Sequence, residues 1–300
     1  MADLLPNRSF LFAPADHSRR AAKALALDAD AAILDLEDAV AVAAKPAARA
    51  AARAALALPR RCRAFVRVNG FGTPWCFEDV AAVVAPGLDG IVLPKLEDPA
   101  ELVALDWALL AHERAQGLPE RGIELMPIIE TAAGLARLSA LAERAAALGG
   151  RVRRLAFGAA DYTLDLGLAW SREEAELAQA RSAIVLASRA AGLEPPIDTV
   201  WSALEDAEGF AASCTRAAAM GFQGKMCIHP DQIAPVHAAF LPGPEELARA
   251  RRIAAAFAEA EAQGRASIEV DGRFVDYPIA ERARRLVALA EAIARRQAAG

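Results

Sequence analysis

Eight short apolar runs, each followed by a longer segment rich in Ala, Leu, Glu and Arg, constrain this 300-residue chain more than any other feature. The runs cover residues 9–15, 31–37, 64–69, 90–95, 123–130, 154–161, 196–201 and 224–229. They are short, apolar on both faces and enriched in β-branched or aromatic side chains, the composition of strands buried on two sides. The intervening stretches, such as 45–58, 99–116, 132–148 and 172–191, are long enough to cross back over a sheet as helices. Strand-helix alternation of this kind predicts a parallel sheet covered by helices, and eight repeats in about 230 residues match a closed (β/α)8 TIM barrel. An open doubly wound sheet fits less well, because no GxGxxG follows the first strand. The near match Gly221-Phe222-Gln223-Gly224-Lys225 is too short for a phosphate-binding loop and precedes a strand rather than following one.

Beyond the eighth run, Leu241-Pro242-Gly243-Pro244 breaks the pattern. A helix-like stretch (245–263), a hairpin-like pair around Asp271-Gly272 and an amphipathic stretch (279–297) follow. The expected division is therefore a barrel over 1–243 and a C-terminal helical and hairpin extension over 244–300.

Composition excludes several function classes. With 55% hydrophobic residues the chain can bury a large core, and 34 Lys plus Arg against 39 Asp plus Glu leave a formal charge of −5, with no basic field for nucleic acid. No apolar run reaches the roughly 18 residues that mark a membrane span, and the run at 9–15 is too short for a secretory signal. Cys62, Cys76, Cys214 and Cys227 lack CxxC spacing, which suits reduced thiols and a cytoplasmic protein better than a zinc or disulfide framework.

A TIM barrel carries its active site where the strands end, so the polar residues closing each run are the candidates. They are Asp16, Glu37 with Asp38, Arg67 with Asn69, Lys95, Glu130, Asp161, Trp201 with Ser202, and His229. Any one alone is also an ordinary helix cap or solvated loop charge; their coincidence around one rim is the signal. Glu130 and Asp161 close the fifth and sixth runs, and adjacent strands lie about 4.8 Å apart, so both carboxylates can face one hard cation. Mg2+ fits two carboxylates that leave positions for water and a chelating substrate, and the absence of a His cluster argues against zinc. Glycosidic acid and base work by the same pair lacks an aromatic sugar platform, with four Trp and two Tyr in the whole chain. Arg67, in the alternation Val66-Arg67-Val68-Asn69, is placed to bind a carboxylate or an oxyanion. Arg19 and Lys23 stand four apart on the first helix; by spacing alone that pair is a solvated basic face before it is a phosphate site.

The chain resembles the citrate lyase β-subunit-like members of the HpcH/HpaI aldolase/citrate lyase family, which includes malyl-CoA, citramalyl-CoA and citryl-CoA lyases. The resemblance runs, in the family's order, through Arg8-Ser9-Phe10-Leu11-Phe12-Ala13-Pro14, Ile33-Leu34-Asp35-Leu36-Glu37-Asp38-Ala39-Val40, Val66-Arg67-Val68-Asn69 and Leu93-Pro94-Lys95. It continues through Ile128-Ile129-Glu130-Thr131, Phe157-Gly158-Ala159-Ala160-Asp161, Gly224-Lys225-Met226-Cys227-Ile228-His229-Pro230 and Val275-Asp276-Tyr277-Pro278. It implies Mg2+ on Glu130 and Asp161, Glu37 and Asp38 ordering the waters around it, and Arg67 at the reacting carbonyl. It also implies Phe12, Arg19 and Lys23 along a CoA thioester, and Asp276 as an acid/base that reaches the site of an adjacent subunit, the extension packing on that neighbour in a homotrimer. Two departures lie on the CoA side: Pro14-Ala15 stands where the family has Pro-Gly, and the following turn around His17-Ser18 lacks the family's proline.

The implied reaction is Mg2+-dependent retro-Claisen cleavage of a 3-hydroxyacyl-CoA into an acyl-CoA and a 2-oxoacid. The alternatives are a metal-dependent aldolase acting on free 2-oxoacid aldols and a non-catalytic assembly subunit.

Overall fold

The computed structural model describes residues 6–299, without the side chains of 297–299. Each of the eight apolar runs overlaps a strand, β3 starting one residue before its run: β1 (Ser9–Pro14), β2 (Ala31–Asp35), β3 (Arg63–Arg67), β4 (Gly90–Leu93), β5 (Glu124–Ile129), β6 (Ala156–Phe157), β7 (Ile197–Asp198) and β8 (Gly224–Cys227). Every neighbour is parallel and β8 closes onto β1, making the eight-stranded barrel that the repeat count predicts. The helices between strands are α1 (Ser18–Ala26), α2 (Lys45–Leu56), α3 (Cys76–Val83) and α4 (Pro99–Ala115). They continue with α5 (Ala132–Ala136), α6 (Leu138–Ala147), α7 (Ala159–Leu166), α8 (Ala178–Ala190), α9 (Ala207–Met220) and α10 (Ile233–Ala239).

Period-two alternation splits the buried residues into two cores. Phe10, Ile33, Phe65, Val92, Met126, Ile128, Ile197 and Met226 fill the barrel interior. The alternate residues, among them Leu11, Leu34, Val66, Ile91 and Leu125, pack outward under the helices. Gly90 is small because Phe65 leans across it, a ring atom lying 2.2 Å from where a Cβ would stand. Asp198 and Lys225 also point outward, where Arg181 of α8 and Glu174 complete a fully buried charge network.

Two strands are much shorter than their runs. Residues 159–161 of the sixth run already belong to α7, whose first N–H is taken by the Thr199 hydroxyl at 2.8 Å, and β7 stops at Asp198.

The chain divides into two compact units, Asn7–Phe240 and the segment from Leu241 onward. The second contains α11 (Pro244–Ala262), the antiparallel hairpin β9 (Ser267–Val270) and β10 (Arg273–Asp276), and α12 (Tyr277–Ala299). Its own core gathers Ala250, Ile253, Phe257, Val275, Ala280 and Ala283. Among the described residues no helix is long and apolar enough to cross a membrane, and the four cysteines are buried free thiols.

Candidate active site

The inward positions at the C-terminal ends of the strands form a polar ring above the apolar interior. Asp35 and Arg67 are direct partners in the β2–β3 register, so the alternation that buries Ile33 and Phe65 brings their heads together one layer higher. Arg67 Nε lies 2.8 Å from Asp35 Oδ1 and Nη2 lies 2.6 Å from Oδ2, a bidentate pair. Its Nη1 is 2.8 Å from Glu37 Oε2, and its guanidinium carbon sits 4.9 Å from the centroid of the Phe12 ring. Burial opposes the charge, but the hydrogen bonds and charge of Asp35 outweigh it and hold Arg67 above its ordinary pKa. The fork is permanently cationic.

Lys95 follows β4 in the left-handed region, with φ of 53°. This turn aims its backbone N–H at Glu130 Oε1, 2.8 Å away, and its Nζ at Glu37 Oε1, 2.6 Å away. The same Nζ is 3.7 Å from both Asp38 and Asp161. Glu37 is buried and its carboxyl is raised above the usual carboxylate range by burial, with Arg67 and Lys95 pulling the other way. Its Oε2 makes no hydrogen bond despite facing Arg67.

Glu130 is 3% exposed at the end of β5. Burial first, then the charges of Asp161 and Glu37, push its carboxyl up to about 8. The absence of a side chain at Gly158 makes room for it, since a Cβ there would stand 2.1 Å from Glu130 Oε2. Asp161 does not end a strand as the sequence suggests; it lies in the first turn of α7, still beside the Glu130 cluster. Asp165, one turn further along α7, accepts the Ala132 N–H at 2.7 Å and ties the helix to the turn that follows Glu130.

Phe12, Asp35, Asp38, Arg67, Glu130 and Asp161 line one cleft of about 470 Å3. No cluster of three or more His, Cys, Asp and Glu gathers as a metal-ligand set among the described residues. Two carboxylates lining one cleft beside a glycine-made recess nevertheless fit a hard cation that takes its remaining ligands from water and substrate.

Other strand-end residues have local duties instead. Asn69 is buried away from the cleft, accepting from Lys45 and donating to Asp79. Trp201 is buried with Nε1 on the Ala203 carbonyl, and Thr199 lines the cleft in its place because β7 ends early. His229 caps the turn beginning at Pro230, while Asp16 is exposed.

On the α1 side, a second recess of about 250 Å3 shares Phe12, Pro14, Arg20 and Ile228 with the first and adds Lys23 and His229. Arg19 lines neither, whereas Arg20, which spacing did not single out, lines both. In the second unit, Asp276 closes β10 and accepts the Ile279 N–H at 3.3 Å, capping α12.

Comparison with known proteins gives this geometry its context. The family model described as HpcH/HpaI aldolase/citrate lyase matches residues 8–230. A citrate lyase subunit beta-like protein of Deinococcus radiodurans is 39% identical over 93% of this chain and 96% of its own length. A (3S)-malyl-CoA thioesterase of Cereibacter sphaeroides is 36% identical, covering 96% of both chains. Among solved structures, CitE of Mycobacterium tuberculosis in complex with magnesium, acetoacetate and coenzyme A matches with a TM-score of 0.74 and 33% identity, over 95% of this chain and 98% of that one. The chain belongs to the HpcH/HpaI aldolase/citrate lyase family and is similar over nearly its whole length to the family's citrate lyase β-subunit-like members.

Proposed function

We propose that this protein is a Mg2+-dependent carbon–carbon lyase that cleaves a 3-hydroxyacyl-CoA thioester, of the citryl-, malyl- or citramalyl-CoA type, into an acyl-CoA and a 2-oxoacid. The observation that carries the proposal is the meeting of Glu130, Asp161 and Arg67 in one cleft: two carboxylates for a cation opposite a fixed cationic fork. The magnesium, acetoacetate and coenzyme A of the M. tuberculosis relative supply the chemical classes.

Glu130 and Asp161 would hold the Mg2+, with Glu37 and Asp38 ordering its waters. When bound, the ion would act as a Lewis acid on the substrate's oxygens and lower the pKa of its hydroxyl. The hydroxyl proton leaves to a base, the oxygen's electrons close the ketone of the 2-oxoacid, and the bond to the thioester α-carbon breaks. Its electron pair becomes a thioester enolate. Arg67, immobilised by Asp35, stabilises charge as it develops without reorganising. Asp276 of a neighbouring copy's extension then protonates the α-carbon. Phe12, Arg20 and Lys23 flank the path of the CoA moiety, and Arg19, exposed on the same helix, adds positive charge there. The assembly is a homotrimer in the cytoplasm.

The C. sphaeroides relative favours a second reading, hydrolysis of the thioester at the same site. The first is tested by mixing acetyl-CoA or propionyl-CoA with glyoxylate, pyruvate or oxaloacetate and Mg2+, and following products by mass spectrometry. A lyase run backwards gives a hydroxyacyl-CoA of summed mass; the hydrolytic reading is tested beside it with a preformed malyl-CoA or citramalyl-CoA, from which a thioesterase and water give free CoA and the hydroxyacid with no 2-oxoacid released. No CoA-dependent product, with turnover of free 2-oxoacid aldols instead, would replace the proposal by the aldolase alternative.

A further inference from the structure

We propose that Lys95 is the built-in counter-ion of the metal centre, and that its ammonium holds the centre's affinity for a divalent cation down. The inference depends on Glu130 and Asp161 being the ligands of that cation, as proposed above.

Three observations carry it. First, the cluster is over-supplied with carboxylates: Glu37, Asp38, Glu130 and Asp161 line or approach the cleft, while Arg67 is already engaged by Asp35 and Glu37. Lys95 Nζ sits among them, 2.6 Å from Glu37 and 3.7 Å from both Asp38 and Asp161. Second, a non-glycine residue at φ of 53° is strained, and such conformations persist where the surroundings over-determine them. Here two anchors hold the turn, the N–H on Glu130 and the ammonium on Glu37, so the strained backbone delivers a positive charge to a chosen place. Third, the residue is a lysine. An arginine fork would lock bidentately onto a carboxylate, whereas an ammonium on a flexible stem is a point charge that can turn toward solvent. The Lys95 side chain keeps 36% of its surface exposed, against 12% for Arg67.

A cation arriving at Asp161 meets this like charge, and the contact between Lys95 and Asp161 is given up while the shorter one to Glu37 remains. An anionic substrate offsets the same repulsion. Lys95 thereby links retention of the metal to the presence of the 2-oxoacid or its thioester.

The test is calorimetric titration of the full-length, metal-stripped protein with MgCl2 and MnCl2, with and without pyruvate. Wild type is compared with Lys95→Met, Lys95→Gly and Lys95→Arg, and folding is checked by circular dichroism. Lys95→Gly relieves the backbone strain and keeps the N–H for Glu130, so it separates charge from conformation. Without pyruvate, the Met and Gly variants should bind the cation about tenfold tighter, the scale of one screened unit charge a few ångströms from a divalent ion. Lys95→Arg, which keeps the charge on a fork that locks onto a carboxylate, should bind no tighter than wild type, and pyruvate should enhance binding less in Met and Gly than in wild type. Unchanged or weaker binding in both folded neutral variants would overturn the proposal. Glu130→Ala tests the ligand assignment separately: undiminished binding there removes the centre itself.

Discussion

The guanidinium of Arg67 is gripped on two sides by Asp35, at 2.8 and 2.6 Å, and Asp35 is itself fixed by the backbone N–H groups of Glu37 and Ala39. The fork is therefore aimed by the turn after β2, not by substrate. Two substitutions separate the charge from its aim. Arg67→Lys keeps the charge but loses the fork, and Asp35→Asn keeps the size but replaces one of the two accepting oxygens with an NH2 donor facing the guanidinium. Each should lower kcat by roughly 10²-fold, the usual loss when an oxyanion-stabilising donor is removed, while leaving Mg2+ binding nearly unchanged. Steady-state kinetics beside metal titration check this, and near-normal turnover in Arg67→Lys would reduce Arg67 to a structural charge.

Gly158 offers a way to disturb the metal centre without touching its charges. An added methyl would stand 2.1 Å from Glu130 Oε2 and 2.7 Å from Glu130 Cβ, so Glu130 must move. Gly158→Ala should weaken Mg2+ binding by on the order of tenfold or more, as expected when a rigid support of a ligand shifts. Direct removal, in Glu130→Ala or Asp161→Ala, should abolish Mg2+-dependent turnover in a folded protein. Full activity of either in the presence of chelator would refute the ligand assignment.

The barrel was legible in the sequence because each strand is an apolar run too short for a helix, and Glu130 and Arg67 followed from counting to a strand's end. Counting failed where capping decided the boundary. α7 begins at Ala159 because Thr199 takes its first N–H, so Asp161 belongs to a helix, and early termination of β7 puts Thr199 rather than Trp201 into the cleft. Arg20 escaped notice because recognising it needs the helix's rotation against β1, which a four-residue spacing does not supply. The left-handed turn at Lys95 has no glycine or asparagine to announce it. Asp276 lies outside any pattern of the barrel, and only family resemblance singled it out.

Acid stability should report on the buried network between the barrel and α8. Arg181 binds Asp198 and Glu174, and Lys225 binds Asp198 from the other side, all with side chains at zero exposure. Burial alone would raise the two carboxyls, but Lys225 and Arg181 beside Asp198, and Arg181 beside Glu174, hold both below the ordinary range. The sign follows from that depression. The unfolded chain binds protons first, so the stabilisation is present above the unfolded pKa of about 4 and is lost as pH falls through the lower folded values. Asp198→Asn should cost about 3–5 kcal/mol at neutral pH by taking away the carboxylate that Lys225 is paired with and leaving Arg181 with Glu174 alone, and should flatten the acid limb of stability against pH. Urea unfolding between pH 2 and 7 measures both, and a mutant as stable as wild type at pH 7 would show the network to be dispensable.

The extension supplies the last prediction. Asp276 accepts the Ile279 N–H and so caps α12, a duty sufficient by itself to explain an Asp before the first turn. Capping and acid catalysis are separable, because Asn caps a helix as well as Asp but cannot deliver a carboxyl proton. Asp276→Asn should therefore melt like wild type, assemble and bind Mg2+, yet lose most turnover and exchange the acyl-CoA α-proton with solvent slowly. If the residue serves a neighbour's cleft, the protein is an oligomer, and inactive Asp276→Asn chains mixed with inactive Glu130→Ala chains should regain activity. Mixed assemblies then contain some clefts with intact metal ligands from one chain and Asp276 from another. In a trimer with random exchange at equal input, such clefts are about a quarter of the total, since the barrel donor and the extension donor must each be the right one of two chains. Sedimentation velocity establishes the assembly, and mass-tagged chains establish that exchange has occurred. A fully active monomer, or exchange without recovered activity, would leave Asp276 as the cap of α12 and nothing more.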